Sequence, residues 1–76
     1  MEILPGARKH GISDDDIRHA VDNALVGSTV DDRTEFMMLV GPDESGNLLE
    51  IGIVVADDID YVVHAMRARQ QYLDWL

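Results

Sequence analysis

The sequence predicts an α+β domain: an antiparallel β-meander of three or four strands, flanked by N-terminal helices and a short C-terminal helix. Three observations predict it. Apolar residues recur at helical spacing once, near the N-terminus, at Ile17, Ala20, Val21, Ala24 and Leu25. Two apolar runs of strand length, "FMMLV" and "LLEIGIVV", flank "GPDESGN", a segment dense in turn formers. A third apolar run, "YVVHAM", follows the short acidic segment "ADDID".

Pro5, Gly6 and Gly11 keep any helix in residues 1–12 short, with Arg8, Lys9 and His10 on its last turn, where cations suit the helix dipole. Ser13 is a good N-cap, Asp16 stands three residues on as in a capping box, and Asp14 to Asp16 fill the first turn. The spacing predicts a helix over Ser13 to Leu25, ended by Gly27. Ser28 to Val30 is a short candidate edge strand. In "LLEIGIVV", Leu49, Ile51, Ile53 and Val55 share the core face and leave Glu50 and Gly52 on the other. Strict alternation in "YVVHAM" sets Val62, His64 and Met66 opposite Tyr61, Val63 and Ala65. The end, "RARQQYLDWL", is helix-compatible: Met66, Arg67, Gln70 and Gln71 are good helix formers, and Tyr72, Trp75 and Leu76 can pack back onto the sheet. The helices are expected on one side of the meander.

A chain of 76 residues makes one small domain, residues 1–76, with a modest core. There is no cysteine to staple it or to ligate a metal, so a homo-oligomer or a protein partner would add stability. No cofactor and no metal are expected. The apolar runs are too short to span a bilayer, and "MEILPGARKHG" lacks the pattern of a signal peptide. The expectation is a soluble cytoplasmic protein. The net charge of −9 argues against nonspecific nucleic-acid binding, which rests on neutralising phosphates, and suits a basic protein partner. The six basic residues make a positive patch only if the fold gathers them.

Two segments resemble a known family. "ARKHGISDDDIRHAV" is similar to the "RKHGVSFEEA" segment of BrnT toxins, of the RelE-like superfamily, and "LVGPDESGNLLEIGIVV" resembles their hairpin "GxxxxGRLLVVVY". "YVVHAMRARQQYLDWL" is similar in position to their ending "IRIISARKATRRERRRYE", with "SARKA" falling on "HAMRA" and the family's Lys on Arg67. The Arg-rich tail of the family is thinned here, with Arg69 alone beyond Arg67. The resemblance implies a RelE-like fold and a small endoribonuclease toxin of a type II toxin–antitoxin pair. Such toxins activate a ribose 2′-hydroxyl to attack the adjacent phosphate and are silenced by a DNA-binding antitoxin.

That chemistry needs a base for the 2′-OH, an acid for the leaving 5′-oxygen, and cations on the phosphate. His64, His10 and Lys9 are the candidate proton carriers. Arg67 joins His64 and His10 as a catalytic candidate, while Arg8, Lys9, Arg69 and Tyr72 are the candidate RNA-binding residues, with Arg33 a further phosphate clamp. The bland alternatives stand beside these. His64 serves equally as a structural histidine at a sheet–helix junction, and Lys9 and His10 as helix C-terminal charges. His19 is expected on the solvated side of its helix. The "DDID" segment lacks the spacing and glycine of a calcium loop and reads as a solvated turn. Met37, Met38 and Met66 are either core or a dimer or antitoxin face, with Trp75 and Leu76. The rival function is a non-catalytic protein-binding or dimerising module on the same fold.

Overall fold

The structure, a computed structural model, describes residues 1–31 and 35–76. Ser13 is extended (φ −69°, ψ 155°) and its hydroxyl accepts the Asp16 N–H at 3.1 Å, the cap the sequence predicts. Helix α1 spans Asp14–Asp22. The Asp16 carboxylate accepts from the Glu44 N–H (3.0 Å), so it ties the helix to the neighbouring hairpin. The helix is shorter than expected. Both the backbone N–H and the side-chain Nδ2 of Asn23 donate to the His19 carbonyl (3.0 and 2.9 Å), and Leu25 N–H already bonds the Val40 carbonyl. Gly27 lies in a strand.

The strands are β1 (Glu2–Ile3), β2 (Val26–Asp31), β3 (Phe36–Pro42), β4 (Leu48–Ala56) and β5 (Ile59–Arg67). They form one sheet in the order β1-β5-β4-β3-β2. The expected meander is β2 to β5, all antiparallel. The addition is β1, parallel to β5, which makes the sheet mixed. A two-residue strand has no periodicity to find in the sequence, and after Leu4 alone Pro5 starts the 3₁₀ turn Pro5–Arg8. The edge strand β2 is twice the length expected. The final helix, α2, is one turn, Gln70–Leu73, because Met66 and Arg67 continue β5.

Both turns follow from their residues. Between β3 and β4 the buried Asp43 carboxylate accepts from Ser45 N–H, Asn47 N–H and Asn47 Nδ2 (2.9, 2.8 and 3.1 Å). Burial alone would raise its pKa, and these hydrogen bonds hold it below the ordinary carboxylate range. Between β4 and β5, Asp57 and Asp58 take left-handed φ of 51° and 63°, the twist a two-residue hairpin loop demands.

The core lies between α1 and the sheet. Ile17 and Ala20 of the helix pack with Leu49, Ile51, Ile53, Val62 and Ala65, and Ala7 of the 3₁₀ turn closes one side. At Gly41 any β-carbon would strike the Ala20 carbonyl, so glycine sets how closely α1 seats. His19 faces the sheet, with Nδ1 donating to the Pro42 carbonyl at 2.8 Å; it is a helix–hairpin tie, where the sequence placed it in solvent. Among the described residues, no helix is long and apolar enough to cross a membrane.

Candidate active site

The second face of the sheet carries the polar chemistry, and a bulge decides which residues reach it. Ile53 pairs with Val62 but Gly52 pairs with His64, so Val63 is the extra residue of β5. The bulge breaks strict alternation: Val62 and Ala65 both enter the core, while Tyr61, His64 and Met66 share the opposite face with Glu50, Gly52 and Val54. The expected grouping of His64 with Val62 fails for this reason. Gly52 also makes room, since a β-carbon there would lie 3.0 Å from the His64 Cβ and 3.3 Å from the Met38 sulfur.

Glu50 is fully buried on this face. Its Oε1 accepts from the backbone N–H and Nε of Arg69 (both 2.9 Å), and its Oε2 accepts from Arg69 Nη2 and His64 Nε2 (both 2.8 Å). Burial pushes this carboxyl up, and the hydrogen bonds of Arg69 and His64 outweigh it and hold the group at about 2. An ionised carboxylate only accepts, so His64 carries its proton on Nε2 and leaves Nδ1 as the basic nitrogen. The His64 side chain is 28% exposed.

His10 follows the 3₁₀ turn, and its ring meets that of His64 edge-on, 5.8 Å between centroids. Arg69 lies over the Tyr72 ring, with Cζ 5.5 Å from the centroid, and Tyr72 in turn meets Trp75 edge-on at 5.2 Å. The Arg69 bonds fasten the chain that leads into α2 to the face opposite α1, where the sequence placed the helices on one side.

The fold thus gathers His10, His64, Arg69 and Tyr72 in one cluster. It does not bring Arg67 or Arg8 to it. Arg67 pairs with Leu49, on the α1 side, and its charge acts on Asp43. Arg8 forks onto Asp14 through Nε and Nη2 (2.9 and 3.0 Å), which holds it at the start of α1. Lys9 is exposed at the end of the 3₁₀ turn, next in sequence to His10. Arg33 lies outside the described residues. Sequence reasoning missed Glu50, which it left on the polar side of its strand. The available signal was a lone acid inside the apolar run "LLEIGIVV".

Comparison with protein-family models, with curated proteins and with solved structures finds no match to this chain.

Proposed function

We propose that the protein is a metal-independent endoribonuclease of the BrnT-like toxin kind, with His64 and His10 as its acid–base pair. The observation that carries this reading is the contact of two histidines at a partly exposed site, one of them oriented by a buried carboxylate. His64 Nδ1 takes the ribose 2′-OH proton, and the 2′-oxygen attacks the adjacent phosphorus. Protonated His10 gives its proton to the departing 5′-oxygen. The products are a 2′,3′-cyclic phosphate and a 5′-hydroxyl. Glu50 holds the His64 tautomer and stabilises the imidazolium that forms. Arg69 spends Nε and Nη2 on Glu50, and its remaining N–H groups face the growing phosphate charge. The resemblance in "KHGIS" supports the same reading of His10. In it the protein works in the cytoplasm, where RNA is, and a basic antitoxin neutralises its acidic surface.

The test is RNA cleavage by purified protein freed of any partner. Cleavage lost in His64→Ala and in His10→Ala supports the assignment; absence of cleavage by the wild type sinks it.

A second reading, a non-catalytic module that binds a basic protein or dimerises, is favoured by a separate observation. Arg8 and Arg69 are each paired with a carboxylate, and the net charge is −9. In that case the Glu50 cluster serves only to clamp the C-terminal segment. It predicts a stable complex or self-dimer and no growth arrest on expression.

A further inference from the structure

A hollow of about 380 Å³ lies beside the cluster, lined by Val26, Gly27, Ser28 and Trp75. It falls at the low end of small-ligand pockets, which run to roughly 300–1,000 Å³. Its wall is an indole left 38% exposed. Its floor is β2, the last strand of the sheet, with β3 on one side and, among the described residues, nothing paired on the other. Of two successive strand residues, one turns its N–H and C=O outward, so Gly27 and Ser28 present a backbone donor and acceptor at the rim, beside the Ser28 hydroxyl. An aromatic wall with hydrogen-bonding groups at its edge is the chemistry that recognises a nucleobase.

The position of the hollow is the second argument. Val26, Val40 and Glu50 form one cross-strand row, so the hollow lies two strands, about 10 Å, from the carboxylate behind His64. Arg69, Tyr72 and Trp75 recur at every third residue and run as a continuous ladder from Glu50 to the hollow. A strand of RNA with its phosphate at His10, His64 and Arg69 would lay a neighbouring base toward Trp75.

We propose that this hollow is a nucleobase subsite, in which Trp75 stacks on an unpaired base of the RNA and the β2 edge at Gly27 and Ser28 reads the base edge. The proposal rests on the ribonuclease reading and supplies it with a source of affinity that the −9 charge does not oppose, since stacking is indifferent to net charge.

Trp75 is the only tryptophan, so its emission reports on the hollow without a label. The full chain is titrated with AMP, GMP, CMP and UMP, with inorganic phosphate as control. A saturable change in emission with at least one nucleotide, and none with phosphate, is expected. Ser28→Leu, which fills the hollow and keeps the reporter, is expected to weaken this binding at least tenfold. Trp75→Ala, followed by calorimetry, is expected to weaken it roughly tenfold to a hundredfold. No saturable change with any nucleotide, or binding undiminished in Ser28→Leu, overturns the proposal. So does an emission that answers only to protein concentration, which would assign the hollow to a second copy of the chain. Cleavage and emission are scored separately on the wild-type chain, so the two readings fail separately. Cleavage without any emission change removes the subsite alone, and an emission change without cleavage removes the nuclease alone.

Discussion

Glu50 and Ile51 are neighbours in β4, and both are fully buried, yet they live in different chemical surroundings. Ile51 points to α1, into a dry aliphatic layer with Leu49, Ile53, Val62 and Ala65. Glu50 points the other way, into a clamp of one guanidinium, one imidazole and one backbone N–H. The same strand therefore builds a core with one face and a polar cluster with the other. The first face stabilises by removing apolar area from water. The second stabilises only while every partner is present, because a buried charge left unpaired costs more than the pair contributes.

The largest expected separation of the two faces is functional. His64→Ala should reduce RNA cleavage by roughly 10²- to 10⁴-fold, the usual worth of a positioned acid–base group. It should also lose some stability, because the buried Glu50 keeps Arg69 and loses the imidazole, so cleavage is scored per folded molecule; a collapse of the fold in circular dichroism would show that His64 is structural. Next comes the core. Ile51→Ala should cost about 2–5 kcal/mol in urea unfolding. Its cleavage per folded molecule should be retained, and a loss there would mean that the faces are not independent.

A third expectation concerns acid. Glu50 titrates at about 2 in the folded protein against an ordinary 4.5. A carboxyl lowered by folding contributes stability that is fully present above pH 4.5 and is lost as pH falls toward 2. The shift corresponds to about 3 kcal/mol. Glu50→Gln should be less stable near neutrality, and its stability should fall less between pH 4.5 and 2. Parallel pH profiles for variant and wild type would remove Glu50 from the acid response. The smallest effect belongs to the α1 cap. Ser13→Ala should cost about 1 kcal/mol in thermal unfolding and leave both faces otherwise unchanged.

The parts of the fold legible in the sequence are those set by neighbours along the chain. Ser13 with Asp14 to Asp16 marks the helix start, "GPDESGN" and "ADDID" mark the two hairpin turns, and the alternation of Leu49, Ile51 and Ile53 marks the core face. Each depends on residues a few positions apart, where cap, turn and period act. The helix end was missed because Asn23 is a weaker stop than Gly27. The cluster was half legible. His10, His64, Arg69 and Tyr72 stand out as residue types, but Arg67 and Arg8 stand out just as much and lie elsewhere.

What separated them was long-range. The unpaired Val63 turns His64 away from Val62, and no local pattern marks a bulge that exists only against Gly52 of another strand. The parallel docking of β1 beside β5 precedes the 3₁₀ turn that brings His10 to His64, across 54 residues of sequence. Burial of Glu50 required Arg69 to return from 19 residues away. Local composition thus dictates elements, turns and the apolar face, because capping, turn geometry and side-chain period are properties of short segments. Which charges end up paired, which histidines touch and which face holds the cluster follow from strand register and from the crossing of distant segments, and those exist only once the sheet has closed.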